Sequence, residues 1–278
     1  MDLKAQLADI RQHASSVLDV LKKRLSHLPD EVVEVAASVL RRRGQILDHF
    51  GSLNGDFQRT QRIRIHGDYH LGQVLRVKTD FVILDFEGEP ARPLAVRRSK
   101  QCPLKDVAGM LRSFGYAAYA GLMNYTAPHP EDVTRLEPWA QLWERSAAAE
   151  FLRAYREAAQ GADFLPPKNV DFRKLLNVFL LDKVLYEMLY ELKQSARVGT
   201  YPLDGDFIAS AVNGSCPLQS GPAAEKKIKT AAEEGEGDRL RKRGVVGVRL
   251  SPRLYRCPDA CLRATGGSAQ SCGSNGFH

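Results

Sequence analysis

Apolar residues recur at helical spacing along the first part of the chain. Leu3, Leu7, Ile10, Val17, Leu18, Leu21 and Leu25 share one face of a first helix. Pro29 and Asp30 open a second helix, which carries Val32, Val35, Ala36, Val39, Leu40, Ile46 and Leu47. Residues 51–56 read as a loop. The period then shortens: Ile63 and Ile65 lead into a polar stretch, and residues 74–77 and 81–84 read as the two strands of a hairpin. Residues 88–102, rich in Pro and Arg, read as an irregular segment in which Arg97 and Arg98 either meet a phosphate or, as the simpler expectation, form a solvated basic pair. Helical spacing returns over 105–125, 131–160 and 171–195. Val107, Met110, Leu111, Phe114 and Ala118 mark one face of the first of these, and Trp139, Leu142 and Trp143 are expected in the core from the second. The pattern predicts a mainly α (α+β) body with one small β-hairpin.

The hairpin is bracketed by the most informative residues. The stretch 66–73 reads HGDYHLGQ, so Asp68 precedes Gln73 by five positions, and Asp85 follows the second strand. In kinase-type phosphoryl transfer, a loop aspartate accepts the proton of the attacking hydroxyl, while an amide five residues later and an aspartate past a strand pair hold magnesium. Asp68 suits the base, being a carboxylate. Asp85 offers hard anionic oxygen and Gln73 a neutral one, which together suit magnesium. His66 and His70 flank the base and are expected to support the loop through imidazole hydrogen bonds. A metal-dependent hydrolase assembled from His66, Asp68, His70 and Asp85 is a competing arrangement, although it leaves Gln73 unexplained.

A second constellation lies in the last helical segment. Lys183, Tyr186, Glu187, Tyr190 and Glu191 fall at i, i+3, i+4, i+7 and i+8, while Leu181, Leu185, Met188, Leu189 and Leu192 occupy the opposite face. Aromatic rings alternating with charged groups suit a saccharide, whose C–H faces lie on rings and whose hydroxyls need polar partners. A solvated helix face with i,i+4 pairs would show the same spacing.

HGDYHLGQV, ILDFEGEP and PLKDVAGMLRSFGYAAY resemble the C-lobe of bacterial maltokinases, members of the aminoglycoside-phosphotransferase-like kinase superfamily that are often fused to trehalose synthase. The resemblance covers residues 1–212, and Gln73, where many of the wider superfamily place Asn, points to the maltokinase branch. It implies a protein-kinase-like C-lobe that transfers the γ-phosphate of ATP to the anomeric hydroxyl of maltose, giving maltose 1-phosphate for α-glucan and trehalose metabolism. Asp68 would be the base, Gln73 and Asp85 the Mg2+ ligands, and the five residues from Lys183 to Glu191 the maltose contacts. Nothing before His66 resembles the Gly-rich loop or the strand lysine of an N-lobe, so the expected unit is a C-lobe without its N-lobe. A sugar-binding module that works only with a separately encoded N-lobe or trehalose synthase is the alternative.

Composition refines this picture in the last 66 residues. Residues 213–278 carry five of the seven net positive charges and four of the five cysteines, and 20 of their residues are Gly, Ser or Pro. They read as a low-complexity tail unrelated to the family, expected to be disordered. The spacing of Cys257, Cys261, Cys272 and His278 is too irregular for a structural zinc site. The nearly neutral remainder gives no reason to expect a nucleic-acid surface. With Cys102 alone in the body, no apolar run long enough to span a membrane and no signal-peptide pattern, a soluble, cytoplasmic protein is expected.

Overall fold

The computed structural model of the protein describes residues 3–28, 30–51, 60–90 and 92–194. Seven α-helices and one hairpin are the main elements of these residues, beside three single-turn 3-10 helices: α1 (Leu3–Arg24), α2 (Asp30–Arg41), α3 (Arg43–Gly51), β1 (Val74–Val77), β2 (Asp80–Ile83), α4 (Leu94–Arg98), α5 (Leu104–Thr126), α6 (Val133–Ala158) and α7 (Asn169–Gln194). The expected tail, 213–278, with Cys216, Cys257, Cys261, Cys272 and His278, lies outside the described residues, as do most of the expected loop over 51–56 and the side chains of Glu191 and Leu192.

The helices form because each can bury an apolar stripe. Ala14, Val17, Leu18 and Leu21 of α1 and Leu175, Leu176, Phe179, Leu180 and Leu181 of α7 have almost no exposed surface. They meet Leu104, Ala108 and Leu111 of α5 in one core. Helix α5 packs along α6 and α7, and α1 packs on α3 and α7. No helix among the described residues is long and apolar enough to cross a membrane.

Two expectations need correction. The second helix does not run through Leu47 but divides at Arg42, whose N–H bonds to the Val39 carbonyl in a tightened turn at 3.1 Å. Beyond the break Arg43 reaches α1, where it donates to Ser15 Oγ at 2.8 Å and pairs with Asp19 at 3.1 Å. Gly44 follows at once, a residue that weakens helix continuity. Trp143 is not core: it is 40% exposed and meets Phe114 edge-on, while Leu136, Ala148 and Leu152 supply the buried side of α6.

The hairpin is antiparallel, with Val74 opposite Ile83 and Val77 opposite Asp80, and it turns through Lys78 at φ 57°. Leu75, Val77, Phe81 and Ile83 all remain exposed. A two-stranded ribbon has little stability of its own, so its attachment to the body decides its position. That attachment is the loop 66–73, which rests on α5.

Gly109 allows the loop to lie this close. A Cβ there would stand 2.5 Å from the Tyr69 carbonyl oxygen, with backbone on both sides of the clash. Gly→Ala in an open helix gains about 1 kcal/mol, yet Gly109→Ala should destabilise by about 1–3 kcal/mol. A urea unfolding curve gives the sign, and a gain would mean that the loop stands away from α5. The Arg112–Glu187 pair joins α5 to α7 at 3.1 Å, with side chains 4% and 12% exposed. Arg112→Met should cost about 3–5 kcal/mol by leaving Glu187 without its counter-charge. Adding Glu187→Met should recover most of that loss in a double-mutant cycle, whereas additive losses would show two independent contacts.

Candidate functional site

The loop 66–73 is built on one carboxylate. Asp106, in the first turn of α5, accepts from the backbone N–H of His66 at 2.6 Å and of Gly67 at 2.9 Å. Burial pushes the Asp106 carboxyl up, and the two N–H bonds and the nearby Lys105 ammonium pull it back down. Gly67, at φ 87°, makes the turn into Asp68, and a Cβ on it would lie 3.1 Å from the Gly88 Cα. His66 is buried among Tyr69, Phe86 and the strand end: its Nε2 donates to the Leu84 carbonyl at 2.6 Å and its Nδ1 accepts from the Asp68 N–H at 3.3 Å. The ring therefore ties the loop that carries Asp68 to the strand that precedes Asp85. His70 accepts from the Gly72 N–H through Nδ1 at 3.1 Å, leaving Nε2 3.9 Å from Asp68 Oδ2. The Leu71 N–H bonds to Ser113 Oγ of α5 at 3.1 Å.

Asp68 faces Lys183 of α7, with Oδ1 3.9 Å from Nζ, and both side chains are partly exposed to the same cleft. Gln73 and Asp85 meet at the base of the hairpin, where Gln73 Nε2 donates to Asp85 Oδ2 at 3.1 Å. Gln73 Oε1 and Asp85 Oδ1 remain as oxygen donors for a cation. Asp85 adopts φ 57°, a left-handed conformation that aspartate tolerates better than most residues. The backbone after it is held by arginines: Arg64 donates to the Phe86 carbonyl at 3.4 Å and Arg97 to the Glu87 carbonyl at 3.3 Å. Arg97 thus clamps the Asp85 turn instead of sitting in solvent as half of a basic pair.

Helix α7 splits its expected stripe. Lys183 and Tyr186 line the cleft, Tyr190 is 57% exposed, and Glu187 turns to Arg112. Leu181, Leu185 and Met188 are buried on the opposite face as the pattern predicts. Two cations stand over the Tyr186 ring, Lys183 Nζ at 5.4 Å and the Arg92 guanidinium at 5.6 Å from its centre. Burial, reinforced by the charge and hydrogen bond of Glu89, pushes its hydroxyl up to about 12. The competing hydrolase arrangement finds no assembly: His66 is occupied by backbone, and no three His, Cys, Asp or Glu side chains among the described residues converge as a metal site.

Sequence reasoning missed Asp106, Glu89, Arg92, Lys105 and Asp182, all of which line the cleft. Asp106 left one signal, an acidic residue in the first turn of a predicted helix, but that reads as a dipole effect. Asp182 sits within the α7 segment and bonds to His13 of α1 at 3.3 Å, a contact across 169 residues that periodicity does not disclose.

No family model matches the chain. Among curated proteins it is similar to the glucosamine kinase of Streptacidiphilus jiangxiensis, at 30% identity over 135 residues, 46% of this chain and 29% of that protein. It is also similar to the glucosamine kinase of Mycolicibacterium smegmatis (strain ATCC 700084 / mc(2)155), at 28% identity over 163 residues, 59% of this chain and 38% of that one. The chain spans about a third of the length of these relatives. Among solved structures it resembles a glucosamine kinase in complex with glucosamine, ADP and inorganic phosphate, with TM-score 0.50 and 22% identity over 84% of this chain and 50% of that one. Crystal form B of a glucosamine kinase gives TM-score 0.50 and 22% identity over 76% and 44%. The chain's similar proteins are therefore sugar kinases, and its mainly helical body with a two-stranded sheet is consistent with part of a kinase fold.

Proposed function

We propose that this chain is the catalytic and sugar-binding C-lobe of an ATP-dependent sugar kinase of maltokinase type, acting on the anomeric hydroxyl of maltose. The observation that carries the reading is the convergence of Asp68 and Lys183 on one cleft, with the Gln73–Asp85 oxygen pair on the same loop-and-hairpin unit. Sequence similarity to glucosamine kinases supports sugar phosphorylation, and the Lys183-x-x-Tyr186-Glu187 stripe, with Tyr190 and Glu191 following, supports maltose as the acceptor.

In this mechanism Asp68 accepts the anomeric hydroxyl's proton while the sugar oxygen bonds to the γ-phosphorus. The bond from that phosphorus to the β,γ-bridging oxygen breaks and ADP leaves. Lys183 balances the Asp68 charge, Tyr186 offers a ring face to the sugar, and Asp106, through the loop backbone, holds Asp68 in place. His66 and His70 support the loop. Gln73 and Asp85 fit magnesium, because two hard oxygens suffice for an ion that keeps several waters and takes its remaining contacts from phosphates. When bound, magnesium neutralises charge developing on the phosphates. Glu187 acts through its bond to Arg112, shaping the α5–α7 wall of the site.

A second reading is that the chain binds sugar but turns over only with further polypeptide, a separately encoded N-lobe or trehalose synthase. Phosphorus NMR of the chain with ATP, magnesium and either maltose or glucosamine separates these cases. A maltose 1-phosphate signal that falls by about 10²–10⁴ in rate in Asp68→Ala is the expected result. Product from glucosamine alone would replace the acceptor, and no product from either would favour the second reading.

A further inference from the structure

Resting on the reading of this cleft as a sugar site, we infer that Asp182 holds a hydroxyl of the acceptor sugar and that His13 of α1 is its positioning residue. The stripe of α7 that meets the cleft is Phe179, Asp182, Lys183 and Tyr186, at i, i+3, i+4 and i+7, one turn nearer the N-terminus of the helix than spacing alone suggested. Lys183 and Tyr186 have roles there, whereas Asp182 shares their face and takes no part in the phosphoryl-transfer steps. Its side chain is 13% exposed, and Oδ1 lies 3.3 Å from His13 Nδ1. An ionised carboxylate only accepts, so the imidazole donates. The His13 ring also stands 6.3 Å from the Tyr186 ring, which puts one α1 side chain behind two members of the stripe.

Among the described residues Asp182 Oδ2 makes no hydrogen bond. The Lys105 ammonium attracts Asp182 from α5 but gives its hydrogen bond to Gln101 Oε1 at 3.1 Å. The neighbouring carboxylates of the cleft are committed: Asp106 accepts a backbone N–H at each oxygen, Glu89 takes the Tyr186 hydroxyl, and Asp68 takes the reacting proton. A sugar hydroxyl both donates and accepts, so adjacent hydroxyls on one ring call for a donor and an acceptor side by side. Lys183 Nζ is the donor and Asp182 Oδ2, one residue away, the acceptor. A wall of ammonium and guanidinium groups alone would leave the hydroxyl proton without a partner, and a carboxylate takes it in a charge-assisted bond. A tie between α1 and α7 would need only the oxygen that faces His13.

Titration calorimetry of the purified chain tests this with maltose and with maltoses that each lack one hydroxyl other than the anomeric one. In the intact chain at least one such analogue should bind about tenfold more weakly than maltose. Asp182→Asn, which keeps the shape and an acceptor for His13, should weaken maltose about tenfold and leave that analogue nearly unchanged, because the hydroxyl concerned is absent from it. His13→Gln should weaken maltose by about threefold with the same analogue spared, since the carboxylate is then present but loosely aimed. It carries the test if circular dichroism shows that Asp182→Asn has lost its fold. Equal losses for maltose and every analogue in a folded variant, or maltose bound as tightly as by the intact chain, overturn the role of Asp182 while leaving a sugar site. Absence of maltose binding by the intact chain overturns the sugar site itself, and this inference with it.

Discussion

The carboxylate of Asp106 is the contact on which the site depends. It accepts from two consecutive backbone N–H groups, those of His66 and Gly67, at the point where the chain leaves the helical body for the hairpin. Those donors sit where no sheet or helix could satisfy them, and leaving them bare would cost about 1–3 kcal/mol each. One side chain on a rigid helix thereby sets the start of the loop, and everything after it inherits that position. Asp68 follows one residue later, and the hairpin and Asp85 hang from the same anchor through His66 and the Leu84 carbonyl.

Close approach makes this anchoring effective. The loop touches α5 at Gly109 and at Ser113, one turn apart, so the helix presents a carboxylate, a bare backbone surface and a hydroxyl in succession along one face. Each contact restrains a different part of the loop: Asp106 its entry, Gly109 the Tyr69 carbonyl, Ser113 the Leu71 N–H. The rest of α5 is committed to the core, with Leu104, Ala108 and Leu111 buried, so the platform moves only if the core does.

What could be read from the chain beforehand divides by the range of the contact. The helices, the hairpin and the Asp68–Gln73–Asp85 order follow from spacing, because period and turn chemistry are local. The break at Arg42 was not legible, since it answers to Arg43 reaching Ser15 and Asp19 on another helix. Spacing put Glu187 on the ligand side of α7, but a buried arginine 75 residues earlier in the chain claims it. Trp143 looked like core by residue type, yet the packed side of α6 is filled by smaller neighbours. Asp106, Glu89, Arg92 and Asp182 escaped for the same reason: each acts on a partner that only the folded chain brings near.

Tyr186 shows how such a crowded site handles a visitor. The Arg92 guanidinium and the Lys183 ammonium stand over its ring at 5.6 and 5.4 Å from its centre, and its hydroxyl belongs to Glu89. On the reading proposed above, a sugar that stacks on this ring shares it with those two cations. Its association would then depend on how strongly those charges hold their places, and would inherit their sensitivity to ionic strength.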